Sequence, residues 1–421
     1  MNVPEGFKQT EVGIIPEDWD VKPLGSIVKY TNGKAHEQSI TDSGMFVVVN
    51  SKFISTDGII RKFAQTRFCP AEKGDVLMVM SDVPNGRAIA KCFLVDCDDT
   101  YTVNQRICVL TPNGIDGKLL YYKLDRNQFY LAFDDGAKQT NLRKEEVLSC
   151  PLSIPNTEAE QTAIAAALSD MDALIEGVEK LLEKKHRIKQ GAMQELLTGK
   201  RRVSGFESQA GFQQTEVGVI PKDWKIAQLD SAGLFFKGGN IPKSALKSEG
   251  IPCVLYGEIY TKYNYIEHTV HSRTSKEVAN NAFELKKGDV LFAGSGETPE
   301  DIGKCFAYQG DERAVAGGDI VILRPNSDFN SSYLGYILNS TCSVAQKYFM
   351  GQGSSVFHIY PNSLKKLKIP FPPNFSEQTA IAAILSDMDA EIEQLETQLI
   401  KYRQLKTGMM QELLTGKKRL V

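Results

Sequence analysis

The sequence predicts two mixed α/β (α+β) domains, two copies of one unit, separated by a long antiparallel two-helix coiled coil with a pseudo-twofold internal repeat. Three observations predict it. The octapeptide MQELLTGK stands at 193–200 and again at 410–417, an offset of 217. GFKQTEVGIIPEDW at 6–19 returns as GFQQTEVGVIPKDW at 211–224, an offset of 205. An apolar stripe with alternating steps of four and three precedes each octapeptide, which is the seam of a coiled coil.

Taken in chain order, residues 1–155 form a first domain with its lead-in, 156–200 a long helix, 201–372 a linker and second domain, and 373–421 a second long helix and tail. The middles hardly match, apart from KGDVL at 73–77 and 287–291 and KCF at 91–93 and 304–306. The offset grows by 12 (217 − 205), so the second middle is longer by that amount. Shared ends imply a common job, and divergent middles imply different ones.

Within the middles, MFVVVNSKFI, DVLMVM, AKCFLVD and RICVLTP read as strands, as do DVLFAG, KCFAYQ and DIVILRP. Segments 118–133 and 331–348 read as shorter helices. In the long helices the seam is Ile164, Leu168, Met171, Ile175, Val178 and Leu182, then Ile381, Leu385, Met388, Ile392, Leu395, Leu399, Tyr402, Leu405, Met409 and Leu413.

Thr157 with Glu160, and Asn374 with Glu377, fit capping boxes at the helix starts, and Gly199 and Gly416 fit the exits. Each helix of roughly 40 residues spans about 60 Å. Gly191 and Gly408 lie inside them, where a glycine costs about 1 kcal/mol against alanine, so a kink or a close backbone contact is expected there. Antiparallel pairing puts the two domains at opposite ends of the rod, and brings the C-terminal TGKKRLV beside the N-terminal GFKQTEVG.

Composition excludes several classes. A net charge of −3 and a pI near 6.1 argue against an indiscriminate nucleic-acid binder while allowing a local basic cleft. The eight cysteines form no C-x-x-C pair and sit in apolar runs, as buried thiols do. His268 and His271 lie near no Cys, and two such histidines are more often surface residues than ligands, so no metal site is assigned. The N-terminus lacks a signal-peptide pattern and no stretch has the length of a membrane span, which makes the cytoplasm the expected location.

No Gly-Lys pair is followed by Ser or Thr, so there is no phosphate-binding P-loop, and no G-x-G-x-x-G opens a helix. FPPN at 371–374 has the wrong flanking order for an amino-methyltransferase motif and reads as a helix start. No catalytic residues emerge, so the chain is not expected to be an enzyme.

Two dissimilar domains, each followed by EQTAIAA-LSDMDA-IE and MQELLTGK and each preceded by T-E-x-G-x-I-P-x-D-W, resemble the DNA-specificity subunit of type I restriction–modification systems across essentially the whole chain. The resemblance implies two target-recognition domains held by conserved helices, each reading half of a split, asymmetric double-stranded DNA site. It implies docking of two methyltransferase subunits, and motor-nuclease subunits in the full complex. S-adenosylmethionine, ATP and Mg would belong to those partners, with no cofactor in this chain and no membrane contact. A rod of about 60 Å corresponds to roughly 17 base pairs, room for two half-sites and a spacer.

The family's recognition loops map onto 81–87, 103–106 and 136–142, and onto 294–300, 316–319 and 351–359. Candidate DNA-binding residues are Lys52, Ser81, Asn85, Arg87, Asn104, Gln105, Arg106, Lys138, Gln139 and Asn141 in the first domain. In the second they are Lys237, Ser295, Thr298, Lys304, Asp319, Lys347, Gln352, Ser354, Ser355 and His358. Arg suits guanine, Asn and Gln suit adenine, and Lys suits phosphate. Asp319 is either an acceptor for cytosine or a turn residue. Partner contacts are assigned to Trp19, Trp224, Gln194, Glu195, Gln411 and Glu412. The rival reading is a scaffold whose two domains bind proteins, which predicts no salt-dependent DNA affinity.

Overall fold

A computed structural model describes residues 3–36, 38–83, 86–207, 211–299, 301–353 and 356–420. It divides into two compact units, the first built from 1–179 with 397–421 and the second from 180–396. The two long helices, Glu158–Leu196 and Phe375–Leu413, are each 39 residues long and contribute a segment to both units.

Each unit opens with a hairpin, Phe7–Thr10 with Gly13–Pro16 and Phe212–Thr215 with Gly218–Pro221. The repeated T-E-x-G closes the turn: the hydroxyl of Thr10 donates to the Gly13 carbonyl, and that of Thr215 to the Gly218 carbonyl. Both glycines have φ above +100°, which a side chain would oppose. The next strand pairs antiparallel with the one entering the long helix, Trp19–Pro23 with Pro151–Pro155 and Lys225–Gln228 with Lys368–Phe371. The lead-in thus reaches the helix start although more than a hundred residues separate them.

The domain middles carry two sheets apiece. In the first unit Cys92–Leu94, Val76–Val79, Ile107–Pro112 and Val28–Asn32 form an antiparallel sheet in that order. A second sheet orders Phe63–Ala64, Phe46–Val49, Tyr101–Val103 and Pro70–Ala71, with a parallel pair at its centre. In the second unit the corresponding sheets centre on Ile320–Pro325 with Val290–Ala293, and on Ile251–Val254 with Val315–Ala316. The expected strand MFVVVNSKFI is half right. It stops at Val49, because the Asn50 side chain accepts the Phe53 N–H at 2.9 Å and starts a short helix, Ser51–Ser55.

Both shorter helices break in two, 118–133 into Gly117–Leu124 and Gln128–Leu131, and 331–348 into Ser331–Ile337 and Thr341–Met350. Asn127 caps the second piece of the first break through its side chain, and Arg126 takes a φ of +53°.

Within each unit the long helices run antiparallel. In the first, Asp172 pairs with Lys406 and Glu179 with Arg403. In the second, Lys185 pairs with Glu391 and Lys189 with Asp389. Ile164 and Leu168 enter the first core beside Leu413, and Ile381 and Leu385 enter the second with Ala192 and Leu196. The seam departs from expectation at Leu405, which is 51% exposed. Lys406 turns inward instead, its ammonium over the Tyr122 ring.

Of the two reasons expected for Gly191 and Gly408, the close backbone contact is absent among the described residues. A Cβ at either would meet nothing within 4 Å, so neither permits a close contact. The exit glycines do the opposite. Gly199 and Gly416 have φ of +68° and +71°, and a Cβ on them would lie 2.5 Å from Pro221 and from Pro16. The octapeptide recurs because each exit turn packs on a repeated Ile-Pro lead-in.

Candidate nucleic-acid interface

In the first unit three loops are tied together by backbone. Ser81–Asp82 pairs with Thr140–Asn141, placing Ser81 opposite Asn141, and the Met80 N–H donates to the Arg106 carbonyl at 3.0 Å. Gln139 donates through Nε2 to Ser81 Oγ at 2.7 Å and to Asn141 Oδ1 at 3.3 Å. Asp82 accepts the N–H groups of Val83, Ala88 and Ile89, which fixes the loop that carries Arg87. The sequence placed these loops far apart, and the fold brings them to one surface.

Beside them lies a cavity of about 330 Å³ lined by Asn50, Ser51, Lys52, Asn104, Gln105 and Arg106. Lys52, Arg87, Arg106 and Lys138 are exposed, and among the described residues none of the four forms a salt bridge. Arg87, Arg106 and Lys138 stand on the tied loops, and Lys52 stands on the short helix Ser51–Ser55 beside the cavity. Asn104 serves otherwise. It is 7% exposed, its N–H donates to the Val49 carbonyl and its side chain accepts the Arg106 N–H, so it shapes the turn that presents Arg106. Asn85 lies outside the described residues.

The second unit repeats the frame with other side chains. Ser295 lies opposite His358, with Oγ 2.9 Å from Nδ1, and Gln352 and His358 exchange backbone hydrogen bonds. Gly294 N–H donates to the Asp319 carbonyl at 2.7 Å. Asp319 is exposed and holds a φ of +58°. Lys237 is exposed at the end of Gly233–Lys237, and Thr298 is exposed and donates to Asp301. Ser354 and Ser355 lie outside the described residues.

Two lysines of this unit are not surface groups. Lys347 is 1% exposed and donates to the Gly303 carbonyl at 2.6 Å, and burial pushes its pKa below the usual lysine range. Lys304 is half-buried, donates to the Tyr260 carbonyl and is shifted the same way by burial. Both brace the loop from 301 to 304 from inside.

Trp19 is fully buried and Trp224 is 3% exposed, so neither offers surface to a partner. The Trp19 indole N–H donates to Glu160 Oε2 at 3.2 Å. Arg419, beyond the second helix, bonds Glu160 and forks onto both Asp18 carboxylate oxygens at 2.9 Å, holding the Asp18 carboxyl below its ordinary range. In the second unit Arg202 forks onto Glu377 at 2.7 and 2.8 Å and onto Asp223 at 2.9 and 3.1 Å.

Glu160 and Glu377 are therefore arginine anchors rather than the reciprocal half of a capping box. Thr157 still accepts the Glu160 N–H, and Asn374 the Ser376 N–H. The expected meeting of the C-terminal tail with the N-terminal lead-in is made by Arg419. Gln194, Glu195, Gln411 and Glu412 are exposed.

Sequence reasoning missed these arginines and a second repeated cluster. Tyr336 donates to Asp389, which pairs with Lys189, and Tyr122 donates to Asp172, which pairs with Lys406. The signal was present: Lys189 with Lys406 and Asp172 with Asp389 match at the offset of 217.

The family model described as type I restriction modification DNA specificity domain matches residues 16–185 and again 221–402. A candidate type I restriction enzyme specificity subunit, MjaX, of Methanocaldococcus jannaschii is 27% identical over 99% of this chain and 97% of its own length. The type I restriction enzyme MjaVIII specificity subunit of the same organism is 24% identical over 99% and 96%. The crystal structure of a type I restriction–modification S subunit from M. genitalium shares the fold, with a TM-score of 0.63 at 16% identity over 98% of both chains. Matched twice by one model that together spans most of its length, the chain belongs to the type I restriction–modification DNA specificity family.

Proposed function

We propose that this chain gives a type I restriction–modification complex its DNA specificity, each domain reading one half of a split, asymmetric site in double-stranded DNA. The observation that carries this reading is one frame used twice with different loop chemistry. Backbone bonds recur between the units, while the side chains on the recognition loops do not. Two unlike half-sites require that arrangement, since base identity is read by side chains and register is fixed by phosphate contacts.

The long helices set the unspecified spacer and dock two methyltransferase subunits, using Gln194, Glu195, Gln411 and Glu412 among their exposed positions. Methyl transfer from S-adenosylmethionine, and ATP- and Mg-dependent restriction by motor-nuclease subunits, belong to those partners in the cytoplasm. The chain itself catalyses no reaction. Among the described residues no helix is long and apolar enough to cross a membrane.

The test is single-molecule sequencing of methylated adenines in cells carrying this chain with its methyltransferase partner, against cells lacking the chain. A split motif that disappears on deletion supports the reading. An unchanged methylome with a verified, assembled partner refutes it and favours a protein-binding scaffold.

A further inference from the structure

The backbone frames beneath the two candidate surfaces share four matched hydrogen bonds. Asn104 N–H donates to the Val49 carbonyl at 2.9 Å, and Gly317 N–H to the Val254 carbonyl at 2.8 Å. Gly33 donates to the Ile107 carbonyl and Gly238 to that of Ile320, each at 2.9 Å. Met80 donates to the Arg106 carbonyl, as Gly294 does to that of Asp319. Leu142 donates back to Met80, and Ile359 back to Gly294. Four matched bonds place Arg106 and Asp319 at the same point of the same turn.

Their chemistry is opposite. Arg106 offers a fork of donors and Asp319 only acceptors. Both are exposed, and among the described residues neither side chain has a partner. The surroundings differ as well: Arg106 follows Asn-Gln and lines a cavity with Ser51 and Lys52, whereas Asp319 follows Gly-Gly, and a Cβ on Gly317 would meet the Leu255 side chain at 3.1 Å. In the major groove guanine presents two acceptors, while cytosine and adenine present an amino donor.

We infer that Arg106 and Asp319 are equivalent specificity-determining residues, Arg106 selecting a guanine in one half-site and Asp319 a base bearing a major-groove amino group in the other. The inference rests on the DNA-specificity reading and adds which residue reads which class of base.

The φ of Asp319 suggests a competing role, because Asp is one of the few residues that tolerates that conformation. Asp319→Asn separates the two. Asn accepts the same backbone but adds donors, so it keeps the turn and changes the reading.

The full chain is expressed with its methyltransferase partner, and the methylated-adenine motif is sequenced for wild type, Arg106→Ala, Arg106→Gln and Asp319→Asn. Arg106→Ala should relax one guanine position in one half by about tenfold or more, the discrimination of a good bidentate pair, with the other half unchanged. Arg106→Gln should shift that position towards adenine, a gain that misfolding cannot produce. Asp319→Asn should relax or switch one cytosine or adenine in the opposite half. Assembled variants that keep the wild-type motif, or that methylate all sites less without relaxing any position, overturn the inference. Absence of any motif in the assembled wild type overturns the DNA reading itself.

Discussion

Arg202 binds two carboxylates, one of them on Glu377, whose side chain is only 3% exposed. Removing the guanidinium leaves that carboxylate buried without its counter-charge, the situation in which loss of one partner costs most. Arg202→Ala should destabilise the second unit by about 3 kcal/mol in chemical denaturation. Lys123 makes the opposite point. It is 7% exposed, donates to the Leu414 carbonyl at 2.8 Å, and burial pushes its pKa down to about 7. The unfolded chain holds that proton up to the usual lysine range, near 10.4. Between about 7 and 10.4 the unfolded state therefore binds more protons, and the stability of the first unit should rise with pH by about 1.4 kcal/mol per unit from this group. The gain is complete above the unfolded pKa and is lost as pH falls to about 7. Lys123→Ile, the residue found at the equivalent Ile337, should flatten the profile between pH 7 and 9.5 in urea titrations; a profile as steep as wild type would disprove the assignment.

At the scale of elements, the long helices were the most legible part of the chain, because a period of three and four over many turns has one reading. Their details were not. Leu405 and Lys406 exchange places relative to a strict seam, since a lysine stem can lie inward when its ammonium finds Asp172 and Tyr122. Glu160 and Glu377 satisfied a capping pattern yet face arginines that the sequence places 259 and 175 residues away. Gly191 and Gly408 have neither a positive φ nor a close neighbour. Gly191→Ala and Gly408→Ala should each stabilise the fold by about 0.5–1 kcal/mol, and hydrogen exchange across both helices should slow. Destabilisation by either would mean that a bend there is required.

For the whole molecule, the repeat revealed the frame but the recognition surface was only partly readable. Loop chemistry singled out Arg87, Arg106 and Lys138, yet Lys304 and Lys347 have the same chemistry and point inward. Burial distinguishes them, and burial is a tertiary property. If the exposed cations face phosphate, the log of the association constant for DNA should fall linearly with log salt for the assembled complex, and Lys138→Ala should reduce the slope by about one. A slope unaltered by that change would remove Lys138 from the contact set.

The first unit takes its strands from residues before 180 and its closing arginine, Arg419, from the far end of the chain, whereas the second is one continuous run. During synthesis the second unit therefore has every residue it needs while the first still waits for the strip from 397 to 421. Until that strip is made, the Asp18 and Glu160 carboxylates lack Arg419, the cation that pairs with both. Closure of the first unit is thereby tied to the arrival of residues 397–421, well after its own strands have been made.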